Sequence, residues 1–203
     1  KVTKEELEAM DAMSLKCAQE LSDAHVDVMG YACLVAIMSM GRGYHCVSEV
    51  NLHQETVAND FPTPIVTSAG ALINGLKVLG AKQISIITPY MRPLTDMVVD
   101  YIENQGIKVK QSIALEIPDN LEVAAQNPMN LLEIYKQLDL TDVDVLVASA
   151  CVQMPSLEAI DLIQAECGIP VTSAAVCTTY EMMKKIGIEA KSAIGGELLS
   201  GKF

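Results

Sequence analysis

Val26-Asp-Val-Met-Gly-Tyr-Ala-Cys-Leu-Val35 and Val143-Asp-Val-Leu-Val-Ala-Ser-Ala-Cys-Val-Gln153 are two versions of one pattern. Each is an apolar run rich in β-branched residues that ends in Ala-Cys, with a breaker, Gly41 or Pro155, a few residues on. Parallel strands buried on both faces read this way, because neither face needs polar residues. Open α/β sheets bind ligands beyond the carboxyl ends of their strands. Cys33 and Cys151 fall there, so two thiols placed alike in two half-chains point to one shared site between two lobes.

The repeat extends outward from the cysteines. Pro64-Ile-Val-Thr-Ser-Ala69 matches Pro170-Val-Thr-Ser-Ala174, and each leads into a helix stopped at Leu79-Gly80 or Ile186-Gly187. Glycine is a common helix stop because it tolerates the left-handed turn. The alternation predicts strands at 26–32, 65–68, 84–88, 107–115, 143–149 and 170–173. Helices are expected at 3–22, 44–59, 69–79, 91–104, 129–138, 156–166 and 174–186. Thr3 and Glu6 fit a capping box at the start of the first helix, and Leu7, Met10, Met13, Leu15, Cys17 and Leu21 form its approximate apolar stripe. Strands alternating with helices predict an α/β fold of two pseudo-symmetric lobes, each a parallel sheet flanked by helices, with the site in the cleft. The expected division is 1–82, 83–187, and a segment 188–203 that returns to the first lobe. Cys151 has a strand–helix–strand unit before it, whereas Cys33 is preceded only by the first helix. The repeat therefore predicts a further opening unit of about 35 residues in the natural protein, without which the first sheet keeps an open edge.

Composition narrows the partners. Half of the 203 residues are hydrophobic and the formal net charge is −12, which opposes binding to a nucleic-acid backbone. An anionic substrate would need local donors against that field. No apolar run reaches the ~20 residues a membrane span requires. Six cysteines without disulfide-scaffold spacing read as reduced thiols in the cytoplasm. No Cys-x-x-Cys pair or histidine pattern suggests a metal.

A cysteine in an apolar strand is ordinarily a small packing residue. The matched placement of Cys33 and Cys151 favours function instead, since free amides after a strand end favour a thiolate or a carboxylate. Cys17, Cys167 and Cys177 read as packing residues. Cys46 beside His45 could form a thiol–imidazole pair, but adjacent helical residues do not face each other, which disfavours it. Tyr90, in Thr88-Pro-Tyr-Met-Arg-Pro93, projects toward the crevice and can donate to a carboxylate or serve as a cap. Asn120, in Pro118-Asp-Asn120, is a turn asparagine or a carboxylate clamp.

Gly30-Tyr-Ala-Cys-Leu-Val-Ala36 together with Ser149-Ala-Cys-Val-Gln-Met-Pro155 resembles maleate cis–trans isomerases of the aspartate/glutamate racemase superfamily. The likeness runs through Leu198-Leu-Ser-Gly-Lys-Phe203. It implies cofactor-free conversion of maleate to fumarate through a succinyl-cysteine adduct, by a homodimer. Carried onto matching positions, it implies Cys33 as nucleophile, Cys151 as acid/base thiol, and Tyr90 and Asn120 as the substrate-binding pair, with the amides of Leu34 and Val35 receiving a carboxylate. The family also carries an N-terminal strand and asparagine loop that has no counterpart in these residues. Competing readings are a two-thiol racemase or epimerase, a malonate decarboxylase, a dicarboxylate-binding protein and a redox-sensing dithiol.

Overall fold

A computed structural model describes residues 4–203. The chain folds as β1 (Met29–Tyr31), β2 (Ile65–Thr67), β3 (Gln83–Thr88), β4 (Lys108–Ala114), β5 (Val145–Ser149) and β6 (Val171–Ser173), interleaved with nine α-helices among the described residues. The helices are α1 (Lys4–Ser22), α2 (Leu34–Ser39), α3 (Tyr44–Ala58), α4 (Ser68–Val78), α5 (Arg92–Asn104), α6 (Asn120–Ala124), α7 (Leu131–Ile134), α8 (Leu157–Cys167) and α9 (Ala174–Lys185). Two parallel sheets result, β1-β2 and β4-β3-β5-β6. The central strands β3 and β5 are buried on both faces, which is why Ile84, Ile86, Ile87 and Val145–Val147 show no polar alternation. No described helix is long and apolar enough to cross a membrane.

The repeat is visible in the strand pairing. Tyr31 pairs with Thr67 across β1 and β2, and Ser149 pairs with Ser173 across β5 and β6. The helices that follow these second strands, α4 and α9, pack against each other and join the lobes. Gly75 makes the crossing possible: a Cβ built there would stand 2.6 Å from the Cys177 sulfur and 3.1 Å from Leu198 Cδ2. The lobes are also tied by Arg42, which grips Asp100 with two hydrogen bonds of 2.6 and 3.1 Å, and by His45 Nδ1, 2.5 Å from the Tyr101 hydroxyl. The Gly75→Ala chain is expected to be less stable. Overpacking a core costs ~1–3 kcal/mol, of which the better helix propensity of alanine offsets about 1 kcal/mol. A lower urea midpoint checks this; an unchanged or higher midpoint would mean that α4 and α9 separate without cost.

Several expectations need correction. The Thr3 half of the capping box lies outside the described residues. On α1 the buried residues are Leu7, Asp11, Ala18 and Ser22, while Met13 and Leu21 are 57% and 55% exposed and Cys17 is exposed. Met10, Met13, Cys17 and Leu21 of the expected stripe therefore face outward, whereas Leu7 is buried and Leu15 packs on a small core cluster. The rest of the buried face is small or polar and packs on α3, where Tyr44 donates to Asp11 at 2.6 Å and Asn59 donates to Ser22 at 2.7 Å. The expected helix at 129–138 is three short pieces, a 3-10 turn at Pro128–Asn130, α7, and a 3-10 turn at Tyr135–Gln137. The helices α2 and α6 were not anticipated. The segment 188–203 bonds largely to the second lobe: the amides of Gly195 and Gly196 donate to Asp161, and that of Glu197 to Gln164, both on α8. Its Leu198 also reaches α4 at Gly75.

Candidate active site

A cavity of about 450 Å³ opens at the carboxyl ends of β1, β3 and β5. Cys33, Leu34, Val35, Tyr90, Asn120 and Cys151 all line it. The two halves of the repeat thus deliver their thiols to one space.

Each side chain arrives for a local reason. Cys33 follows β1 directly and stands at the N-cap of α2, with extended φ and ψ of −121° and 92°. The apolar run Leu34–Met38 is buried on every side, so the chain turns into a helix within the core at once. Cys33 is half-buried, and burial is the main force pushing its thiol above the ordinary value of 9.0. The Ala36 amide, which bonds the sulfur, pulls the other way, and the neighbouring Cys151 adds to the rise. That Cys151 raises the cost of ionising Cys33 places the two thiols near each other.

Cys151 follows β5 but enters no helix; residues 152–156 are irregular before α8 begins. The buried Ser149 hydroxyl donates to the Cys151 carbonyl at 2.9 Å and accepts from the Cys151 amide at 3.3 Å. Tyr90 follows β3 and donates its hydroxyl to the Ala150 carbonyl at 3.0 Å. Burial first, then Cys151 and Cys33, hold the Tyr90 phenol well above 10.0, so it stays a neutral donor. Rotation of that hydroxyl would redirect its proton into the cavity. Asp119 caps α6 by accepting from the Leu121 and Glu122 amides at 2.7 and 3.2 Å, which leaves the Asn120 side chain at the cavity rim. Gln153 Nε2 donates to the Asn120 carbonyl at 2.9 Å and so bridges the Cys151 loop to α6.

The rest of the wall was not anticipated. Leu7 and Met10 of α1, Leu94 of α5, Ile117, Val123 of α6 and Gln153 are among the further residues that line it. Met10 is an apolar helical residue that stays 39% exposed. Among the described residues, none that lines the cavity is acidic or basic. The donors available are neutral: main-chain amides, a phenol and two carboxamides. Of the other cysteines, Cys177 is fully buried and Cys167 partly buried, whereas Cys46 is exposed. Cys177 packs at the α4–α9 crossing and lies 3.3 Å from the Thr172 hydroxyl. His45 turns from Cys46 to Tyr101. No group of three or more His, Cys, Asp or Glu among the described residues forms a metal cluster.

Residues 1–199 match the family described as arylmalonate decarboxylase. The maleate isomerase of Geobacillus stearothermophilus is 54% identical over 202 residues, covering 100% of this chain and 80% of that protein. The structure of maleate isomerase Iso from Pseudomonas putida S16, a cysteine-to-alanine variant with maleate, superposes with a TM-score of 0.97 at 58% identity, covering 99% of this chain and 80% of that one. Nocardia farcinica maleate cis-trans isomerase, a cysteine-to-serine variant with a covalently bound succinylcysteine intermediate, superposes with a TM-score of 0.94 at 38% identity, covering 100% and 82%. The chain thus spans about four-fifths of the length of these relatives. On its sequence, its fold and the length of the match, the chain belongs to the arylmalonate decarboxylase family and, within it, to the maleate isomerases.

Proposed function

We propose that this chain converts maleate to fumarate through a covalent succinyl adduct on Cys33, with Cys151 moving the proton. The observation that carries this reading is the convergence of both repeated thiols on one cavity with neutral carboxylate donors. The Nocardia farcinica relative, which holds a succinylcysteine, supports it.

A double bond does not turn, so the reaction must make it single for a time. The Cys33 thiolate adds to one olefinic carbon, and the π pair moves to the neighbouring carbon and its carboxylate as an enediolate. The amides of Leu34 and Val35, with Tyr90 and Asn120, hold the carboxylates and receive that charge. The C–C bond turns, and the Cys151 thiol protonates the carbanionic carbon to give a succinyl thioether. The Cys151 thiolate then removes that proton. The released pair rebuilds the double bond in the trans form and expels the Cys33 thiolate. No atom or electron is consumed, so the scheme calls for no cofactor. Cysteine suits both roles, being a strong nucleophile as thiolate and a usable leaving group.

The two thiols divide the roles by their surroundings. Cys33 has an amide donor at its sulfur, which favours the anion. Cys151 sits beside the buried Tyr90 hydroxyl, which stays a neutral donor. Proton NMR of maleate with the purified protein and no additive is expected to show the maleate olefinic signal replaced by that of fumarate. A maleate signal that persists at saturating protein would remove the reading.

The wider setting follows the same line. Six free cysteines suit a reducing cytoplasm. The outward apolar residues of α1 and α3, among them Met13, Leu21, Val47 and Val50, suit a homodimer contact. Light scattering is expected to give twice the mass of one chain; a single chain's mass would overturn the dimer.

A further inference from the structure

We propose that Ser149 is a positioning residue that fixes the Cys151 thiol for proton transfer by clasping both backbone groups of Cys151. The proposal rests on the isomerase reading for its kinetic consequence, though not for its geometry. Ser149 is the last residue of β5 and is 0% exposed. Its hydroxyl donates to the Cys151 carbonyl and accepts from the Cys151 amide, at 2.9 and 3.3 Å.

The clasp answers a difference between the lobes. Cys33 is held by a helix: its carbonyl accepts from the Ile37 amide at 3.4 Å as α2 begins. Cys151 has no helix immediately after it, since residues 152–156 are irregular. Cys151 is only 8% exposed, so its backbone groups need partners inside the protein. One hydroxyl supplies both. The Ala150 carbonyl, between the two residues, is held in turn by Tyr90 at 3.0 Å, and the Ala150 amide donates to the Ile87 carbonyl of β3 at 2.9 Å. With the N–H and C=O of both Ala150 and Cys151 bonded, the Cys151 side chain leaves the strand end into the cavity. Loss of the Ser149 hydroxyl frees the Cys151 peptide, and a misplacement of about 1 Å in a reacting group can cost ~100-fold in rate.

Adjacent β3 provides the control. Ser85 is equally buried, and its hydroxyl has no hydrogen-bond partner. Ser149→Ala and Ser85→Ala therefore delete the same atom from neighbouring strands, one with partners and one without. Two measurements on the full chain separate the cases. For Ser149→Ala, kcat with maleate is expected to fall about tenfold or more while KM stays within about threefold, the split expected for a group that acts on the chemical step. Without substrate, iodoacetamide labelling of Cys151 relative to Cys33 is expected to rise about threefold or more, as the loosened thiol becomes accessible. Ser149→Thr, which keeps the hydroxyl, restores the labelling ratio, and Ser85→Ala leaves both measurements at the wild-type level. If Ser149→Ala does not accumulate as folded protein, Ser149→Cys takes its place with the same expected changes, since its thiol fills the space but bonds weakly. A labelling ratio unchanged by loss of the Ser149 hydroxyl, or an equal shift in Ser85→Ala, overturns the proposal. A wild-type chain that leaves maleate unconverted overturns the isomerase reading instead, and the labelling ratio still decides the role of Ser149.

Discussion

Cys151→Ser protein mixed with maleate is expected to gain the mass of one maleic acid on Cys33, while turnover falls to background. The two halves of the acid/base role explain the result. After Cys33 adds, the enediolate carbon is strongly basic, and even a weak acid such as a serine hydroxyl can protonate it. The reverse step is harder. Removing a proton from the saturated carbon needs an anion at position 151, and serine does not supply one near neutral pH, whereas cysteine does. The adduct therefore forms and stays. Cys151→Ala is expected to behave differently, since no donor then reaches the carbanion. Addition reverses faster than protonation, and maleate is recovered unchanged. Peptide mass spectrometry after acid quench distinguishes the two. An adduct on Cys151 itself, or none in the serine variant under saturating maleate, would count against the division of roles. A rate loss of ~10³-fold or more is the scale seen when a member of a catalytic pair is removed.

The parts of the molecule that could be read from sequence are those where burial leaves one signature. Val145–Val147 and Ile84–Ile87 are buried on both faces, so apart from the buried Ser85 their runs are apolar and end abruptly. Cys33 follows β1 and Cys151 follows β5, and both line one cavity at the carboxyl ends of the two parallel sheets. The same uniform burial hid α2. Leu34–Met38 is covered on all sides, so it shows no helical period and reads as a continuation of the strand before it. On α1 the pattern misled for a different reason. Its apolar residues Met10, Met13 and Leu21 face outward, while Asp11 and Ser22 are buried because Tyr44 and Asn59 bond them. Hydropathy reports which residues avoid water and not which partner covers them. The segment 188–203 has no period at all; it is placed by amides that donate to Asp161 and Gln164, and such bonds leave no mark in the order of residues. Asn120 and Gln153 come together through one side-chain-to-carbonyl bond between the Cys151 loop and the start of α6, which is equally silent in sequence.

Cys33→Ser is expected to abolish isomerisation while maleate still binds. Serine keeps the shape of the site and can still accept from the Ala36 amide, so the cavity and its carboxylate donors persist. What is lost is the nucleophile. Burial already pushes the Cys33 thiol above 9.0, so in the free protein the thiolate is a minority species at neutral pH, and its supply limits addition. A hydroxyl ionises far less readily than a thiol, so no useful anion forms at all. Conversion is expected to fall ~10⁴-fold or more, the loss seen when a covalent nucleophile is deleted. The same supply of thiolate gives the wild-type chain a pH signature. A group whose acid constant is raised delivers its anion only as pH climbs, so kcat/KM with maleate rises with pH on its acid limb toward the alkaline range. In Cys33→Ser that limb disappears along with the activity. Binding is read separately, through protection of Cys151 from iodoacetamide by added maleate. Retained protection with lost turnover is the expected pair. Turnover within tenfold of wild type would mean that the double bond is loosened without a sulfur at position 33. Protection and turnover lost together would mean that Cys33 builds the cavity instead of attacking within it.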